Sequence, residues 1–438
     1  MRRGNVRSAG RARRDAAPPQ QEAVATMRIE SIAAGGDGVG RIDGLACFVP
    51  RTAPGDLAQV AYVSHARYAR GRLLQVLEAS PDRVEPACPH YTADRCGGCQ
   101  VQHLSNDAQR DVRRQIVRDA LQRVGHRDVA LPDLVSGNSW GYRERLTLTL
   151  RARGASWIGG LHSFDDVNRV FPLEVCPIAH PRLVECWSSV RRHLRGLPAP
   201  GPEQPLRLSL RLHDANGDHV TLVVLGASQW SDGEAWAEQV RNAVPMVTAV
   251  WWDRAGGTAI LLSGAPERSV LAFAQVNPVV ADALRACVRE AIDKFEPRSV
   301  IDAYSGRGDL AEFLSRAGVC VTAIEADRAA TLEAEARLAP FAQSRVVTAR
   351  VEGAIESALP ADVVVLNPPR RGVDVRVAAA LANARDVRAI VYVSCDPATL
   401  ARDVSRLPHW RIDSLRCFDM FPQTAHVESV CVLIPEAA

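Results

Sequence analysis

The sequence predicts a multidomain α/β protein. A doubly wound, mostly parallel sheet is expected over residues 266–438, after a small β-barrel at 27–84 and a β-rich central region at 85–265. Three observations carry this expectation. Apolar, β-rich runs at 300–304, 319–325, 363–367 and 389–394 alternate with helical stretches, the pattern of buried parallel strands joined by crossover helices. Short alternating segments broken by turns fill residues 27–80, as in a small closed barrel. The chain has 438 residues, 47% of them hydrophobic and 24% charged, enough for two to four domains with cores of their own.

Taken in order, residues 1–14 hold six arginines (Arg2, Arg3, Arg7, Arg11, Arg13, Arg14) and no acid. The formal net charge of +3 therefore leaves about −3 on the remainder, so a nucleic-acid surface must be a local patch. Residues 1–26 read as a basic disordered tail or as the product of a start site placed ahead of Met27, with an organelle transit peptide as a further compositional reading. With one lysine (Lys294) against 52 arginines, arginine abundance is a bias of the whole sequence and no sign of phosphate binding. No run reaches the roughly 18 apolar residues of a membrane span, and no apolar signal core opens the chain, so a soluble cytoplasmic protein is expected. A monomer is expected because no heptad repeat appears.

Barrel strands are expected at 27–32, 45–49, 57–63 and 71–77, with a glycine-rich turn at 35–40. Barrels of this size often bind RNA. Residues 81–102 form a cysteine-bearing loop. Val112, Ile116, Val117, Ala120, Leu121 and Val124 recur at helical spacing, and Gly125 stops a helix over 106–124 that is a candidate to pack on the catalytic domain. Strand-like segments return at 145–151, 206–212 and 219–225.

Eleven cysteines without a secretory signal argue against a disulfide framework. Cys88, Cys96 and Cys99 cluster with gaps of seven and two residues, and Cys176 shares a Cys-Pro dipeptide with Cys88. Four thiolates suit either tetrahedral zinc or a [4Fe-4S] cluster. Cys47, Cys186, Cys287, Cys320, Cys417 and Cys431 lie mostly in apolar stretches and read as small buried hydrophobes.

The expected strand at 300–304 runs into Ser305-Gly306-Arg307-Gly308-Asp309, and Glu325 lies 23 residues beyond Asp302 at the end of the next apolar strand. Glycines let the backbone approach a ligand, and an acid so placed accepts hydrogen bonds from ribose hydroxyls. NAD and S-adenosylmethionine (SAM) both remain open here, as does a turn that binds nothing. The next strand ends carry Asn367-Pro368-Pro369-Arg370 and Ser394-Cys395-Asp396-Pro397. Ligands of open α/β sheets sit at the carboxyl ends of strands, so these groups should converge on one crevice. A dehydrogenase has no use for that set, whereas a stiff Asn-Pro-Pro turn beside a cysteine offers a nucleophile; the alternative for Cys395 is an inert buried thiol.

Four ordered motifs resemble the SAM-dependent RNA uracil-C5 methyltransferases: Asp302-x-Tyr304-Ser305-Gly306-x-Gly308, Asn367-Pro368-Pro369-Arg370-x-Gly372, Ser394-Cys395-Asp396-Pro397-x-Thr399-Leu400-Ala401-Arg402-Asp403, and Phe421-Pro422-Gln423-Thr424-x-His426-Val427-Glu428. Cys96-Gly97-Gly98-Cys99-x-x-Gln102-His103 is similar to the family's iron-sulfur subset, and the barrel resembles the TRAM module of its 23S ribosomal RNA branch. The resemblance implies a class I methyltransferase fold and methyl transfer from SAM to uridine C5. It makes Cys395 the nucleophile at C6, Glu428 the base for the C5 proton and His426 a candidate to orient that base. Gln275, Tyr304, Gly306, Asp309, Glu325 and Asn367 become the SAM contacts, Phe273 a candidate to stack on a base, and Cys88, Cys96, Cys99 and Cys176 the ligands of a [4Fe-4S] cluster, favoured over zinc.

Two departures stand out: Asn367 occupies a position where the family usually has Asp, and the gap between Cys88 and Cys96 is seven residues where five is common. The substrate expected is 23S ribosomal RNA. Alternatives are the tRNA T-loop uridine, a nitrogen-directed Asn-Pro-Pro methyltransferase, which needs no cysteine, and an RNA-binding protein that keeps the fold without turnover.

Overall fold

The computed structural model describes residues 22–154, 156–200, 205–212, 219–254, 259–265 and 275–436. Among them no helix is long and apolar enough to cross a membrane. Most of the basic tail and Phe273 lie outside the described residues.

Strands β1 (Ala23–Ile32), β2 (Gly38–Ile42), β3 (Leu45–Val49), β4 (Leu57–Ser64) and β5 (Ala69–Glu78) close into a barrel in the order β1-β2-β3-β5-β4. Alternation drives the closure: Met27, Ile29, Cys47, Val49, Ala58 and Val60 point inward and are buried together. Residues 23–26 extend β1 ahead of Met27, because the long strand β4 offers Gln59, Val60, Ala61 and Tyr62 as partners. Gly38 and Gly40, read from sequence as part of a turn, belong to β2. A Cβ at Gly40 would run into the Arg28 carbonyl of the neighbouring strand, so close backbone approach explains that glycine.

A one-turn helix α1 (Pro89–Thr92) and the long helix α2 (Asn106–Arg123) follow. The Ser105 hydroxyl caps α2 by accepting the Ala108 N–H at 3.2 Å. Next comes the short strand β6 (Asp133–Val135).

The central sheet comprises β7 (Arg145–Arg153), β8 (Ser156–His162), β9 (Val170–Pro172), β10 (Arg207–Leu212), β11 (Val220–Leu225), β12 (Val247–Asp253) and β13 (Ile260–Gly264), in the order β13-β12-β11-β10-β7-β8-β9 among the described residues. Helices α3 (Pro181–Val190) and α4 (Gly233–Ala243) cover one face, burying Leu148, Leu208 and Leu222 against Leu183, Trp187 and Trp236. The strand-like reading of this region omitted both helices. The signal of α3 is present in the spacing of Leu183, Cys186, Trp187 and Val190, all buried, behind a helix-opening proline.

The third unit runs α5 (Pro278–Asp293), β14 (Ser299–Ala303), α6 (Asp309–Arg316), β15 (Cys320–Glu325), α7 (Arg328–Leu338), β16 (Arg345–Thr348), α8 (Val351–Ala358), β17 (Val363–Leu366), α9 (Val375–Asn383), β18 (Ala389–Ser394), α10 (Pro397–Ser405), β19 (Trp410–Phe418) and β20 (Glu428–Pro435). Its sheet has the order β16-β15-β14-β17-β18-β20-β19-β6 among the described residues. Strands β14 to β18 are parallel, β20 is antiparallel to both neighbours, and β6 joins the far edge beside β19. This is the doubly wound class I methyltransferase architecture. Strand order reverses at β14, with β15 on one side and β17 on the other, and a crevice opens there at the carboxyl ends.

Candidate active site

The crevice begins where β14 runs out. Tyr304 takes a left-handed conformation (φ 64°), and the N–H groups of Tyr304 and Ser305 donate to the Ile324 carbonyl at 2.9 and 3.1 Å, bending the chain over β15. Gly308 opens α6 at φ 79°, and a Cβ there would press on Ala334 at 2.9 Å. Glu325, at the end of β15, accepts the Gly306 N–H at 3.0 Å with one carboxylate oxygen. With the other it accepts the N–H groups of Ala326 and Asp327 at 2.8 and 2.9 Å. That carboxylate ties the glycine turn to the start of the next connection. Below it, Asp302 is 3% exposed and its Oδ2 has no hydrogen-bond partner among the described residues. Burial, and then the charge of Glu325, pushes its carboxyl up to about 7.

Beyond β17, Asn367 donates its N–H to the Ala303 carbonyl at 3.3 Å, which holds the Asn-Pro-Pro turn against the end of β14. Cys395 occupies the turn from β18 to α10. The Ser394 hydroxyl accepts the Asp396 N–H at 3.1 Å and the Asp396 carboxylate caps α10 on Thr399 N–H at 2.9 Å, so the cysteine is fixed from both sides. Burial raises the thiol's pKa and the Glu428 charge raises it further, while the Arg370 guanidinium pulls it down. Glu428, at the first position of β20, is 6% exposed, and burial pushes its carboxyl up to about 7 against the pull of Arg370. Burial, with Arg370 behind it, lowers the pKa of His426, favouring the neutral ring.

One cavity of about 1000 Å³ unites these groups: Gln275, Tyr304, Gly306, Asp309, Glu325, Asn367, Cys395 and Glu428 all line it, as does His426. That volume lies at the top of the range of roughly 300–1,000 Å³ usual for a small-molecule site, room for more than one ligand. Ser305 lines the cavity too, and its Oγ is buried without a partner among the described residues. Asp309 is drawn toward Arg337 at 3.2 Å and Arg307 at 3.7 Å. Ser305, Glu352, Arg370 and Phe421 also line the cavity and were given no role from the sequence, although Ser305 stood in the glycine turn. Arg370 and Phe421 stood inside quoted motifs, whereas Glu352, in the first turn of α8, carried no signal beyond its place after a strand.

Cys88, Cys96, Cys99 and Cys176 line a second, small cavity with Tyr91, Gln102, Leu161 and Ile178. Hydrogen-bond donors surround these sulfurs: Gly98 N–H lies 3.4 Å from Cys96 Sγ, and Gln102 serves Cys99. Burial nonetheless pushes Cys96 up to about 11 and Cys99 to about 12. Among the described residues no three or more His, Cys, Asp or Glu side chains close around a single metal-ion position. Arg51 lies over the Tyr91 ring at 3.3 Å and donates to the Tyr91 and Cys96 carbonyls at 2.6 and 2.7 Å, locking this loop to the barrel.

The sequence profile of the tRNA (Uracil-5-)-methyltransferase family matches residues 319–436. An uncharacterized RNA methyltransferase of Thermosynechococcus vestitus is 31% identical, spanning 94% of this chain and 98% of its own. The 23S rRNA (uracil(1939)-C(5))-methyltransferase RlmD of Thiobacillus denitrificans is 32% identical over 91% of this chain and 96% of its own. The crystal structure of Pyrococcus abyssi tRNA (uracil-54, C5)-methyltransferase with S-adenosyl-L-homocysteine superposes with a TM-score of 0.65 at 23% identity, covering 93% and 99% of the two chains, and shows a shared fold. Full-length relatives at this identity, the family profile over the catalytic sheet and the class I architecture agree, and the chain belongs to the SAM-dependent RNA uracil-C5 methyltransferases.

Proposed function

We propose that this enzyme methylates C5 of a specific uridine in 23S ribosomal RNA through a covalent adduct between Cys395 and uracil C6. The observation that carries the reading is the shared cavity, which Cys395 and Glu428 line from the ends of β18 and β20 and the glycine turn, Glu325 and Asn367 line from the ends of β14, β15 and β17. Gln275, Tyr304, Gly306, Asp309, Glu325 and Asn367 would hold SAM, which when bound supplies an electrophilic methyl group. Uracil C5 is too poor a nucleophile to take it unaided. Cys395 thiolate adds to C6, forming an S–C6 bond, and the C5=C6 electron pair becomes the new bond from C5 to the methyl carbon, whose old bond would break with its electron pair staying on sulfur, leaving S-adenosylhomocysteine. Glu428 carboxylate then removes the C5 proton. The C5–H pair restores the double bond as the S–C6 bond breaks and returns the thiolate. His426 orients the carboxylate. A base in folded RNA must be turned out of its stack to reach this depth.

Supporting the 23S assignment are the N-terminal barrel, which resembles the TRAM module, and the similarity to RlmD over nearly the whole chain. Residues 27–84 and 85–265 are proposed to grip the RNA, and residues 266–438 to carry the chemistry. Cys88, Cys96, Cys99 and Cys176 are proposed to hold a [4Fe-4S] cluster of structural role. Four thiols on one cavity with donors aimed at sulfur support it.

The test is methylation of 23S fragments and tRNA transcripts with labelled SAM, read as 5-methyluridine by nucleoside mass spectrometry. Label in a 23S fragment is expected. Label in tRNA alone overturns the 23S assignment, and label on an exocyclic nitrogen overturns the C5 reading.

A further inference from the structure

We propose that Gln109 and Arg113 of α2 are positioning residues for the catalytic base, holding the β19–β20 loop that leads into Glu428 from outside the catalytic sheet. The proposal rests on the assignment of Glu428 as that base. Residues 419–427 make up the loop, and Gln423 within it takes a left-handed φ of 69°.

Gln109 meets it twice. Its Oε1 accepts the Gln423 N–H at 3.0 Å and its Nε2 donates to Gln423 Oε1 at 2.9 Å. Gln109 Nε2 also donates to the Leu104 carbonyl at 2.9 Å, and its Oε1 accepts from Arg113 at 3.2 Å. Arg113, 1% exposed, donates Nε–H to the Thr424 carbonyl at 3.0 Å and stands 3.5 Å from the Asp419 carboxylate. The cysteine-bearing loop completes the grip. Gln100 and Val101 each donate N–H to the Gln423 carbonyl at 3.2 Å, and Tyr142, packed with Cys88 and Cys99, donates its hydroxyl to the Pro422 carbonyl at 3.0 Å.

Packing alone does not call for this arrangement. A buried arginine and glutamine cost desolvation that apolar side chains of like volume would avoid. What they provide instead is direction, since their bonds fix the backbone of Gln423 and Thr424, five and four residues before the carboxylate. Proton removal from C5 depends on where that carboxylate points, and a misplacement of about 1 Å can slow a step by about a hundredfold. Cys395 sits on a different turn, fixed by Ser394 and Asp396, so its addition to C6 does not depend on the clamp.

The clamp therefore predicts a split between two steps of one reaction, tested in the full-length protein with SAM and unmodified substrate RNA. Gln109→Leu and Arg113→Lys should lower single-turnover release of free 5-methyluridine RNA about ten- to a hundredfold, with KM for RNA changed less than twofold. On a denaturing gel both should accumulate a covalent protein–RNA band, as Glu428→Gln should, because addition proceeds and elimination stalls. Should Gln109→Leu fail to fold, Tyr142→Phe removes a single hydroxyl that donates to the same loop and should show the band with a slowing of about two- to tenfold. Turnover at the wild-type rate, or slower turnover with no accumulated band, overturns the clamp. If Glu428→Gln itself accumulates no band, the base assignment fails and the clamp proposal falls with it; a band in Glu428→Gln but in none of the clamp variants overturns the clamp alone.

Discussion

Cys395 and Glu428 lie one step beyond the Ser394–Ser429 pair that closes the antiparallel β18–β20 ladder, so strand register sets the two side chains side by side. The Glu428 charge reaches the thiol and raises its pKa, while Arg370 acts on both groups in the opposite sense. A base whose charge disfavours ionisation of the nucleophile suits a reaction in which one acts first and the other later.

Glu428 gives a pH prediction. Its folded pKa of about 7 stands above the ordinary 4.5, so the folded chain holds a proton that the unfolded chain has released between those values. The stability from that proton is full below about pH 4.5 and is lost as pH rises through 7. Glu428→Gln should therefore be more stable than the wild type by roughly 1–3 kcal/mol at pH 8, the gap closing toward pH 5, in urea unfolding curves. Methylation by the wild type should rise through pH 7 as the carboxylate ionises.

Glu325 accepts three backbone N–H bonds, so its replacement should be felt as cofactor affinity. Glu325→Gln replaces one accepting oxygen by a donor and should weaken SAM binding about tenfold by calorimetry, one charge-assisted hydrogen bond's worth. Turnover at saturating SAM should be little changed, because the residue touches neither Cys395 nor the uracil.

Stability of the barrel should hinge on Asp56. Its carboxylate accepts from Ala53 N–H at 2.7 Å, Ser80 N–H at 2.9 Å and Arg83 at 2.7 Å. Burial works against ionisation, but Arg83 and the two N–H groups outweigh it and hold the pKa below the usual value. Asp56→Asn leaves Arg83 partly buried without its charge partner, and should cost about 2–4 kcal/mol in thermal or urea unfolding. The wild-type benefit is present above pH 4 and disappears as pH falls through the depressed folded value.

The thiol cavity should behave as a unit. Protein purified without oxygen should carry about four irons and four sulfides per chain. Cys99→Ala or Cys176→Ala should lose them together and lower the melting temperature while SAM binding persists, because the cofactor cavity shares no lining residue with the thiol cavity.

The catalytic sheet was legible because parallel strands buried on both faces must be continuously apolar, as β17 is at every position and β18 is up to Ser394. The crevice was legible because strand ends and glycine turns fix where side chains converge. Helix α3 was readable at helical spacing but lay among strand-like neighbours. The Gln109–Gln423 contact left no pattern at all, since its partners are 314 residues apart and meet only after the chain has folded. The same holds for β6, which leaves the central region to pair with β19. Asp302 read as a motif acid; the burial of its Oδ2 without a partner among the described residues emerged only in three dimensions.

The central claim is methyl transfer to uracil C5 through Cys395, and covalent trapping tests it most directly. RNA carrying 5-fluorouridine at the target position has no C5 proton to surrender, so elimination is blocked after addition. With SAM, the wild-type protein should give a retarded band on a denaturing gel, absent without SAM and absent in Cys395→Ala. A band that survives in Cys395→Ala, or RNA methylated by that variant at the wild-type rate, would contradict it.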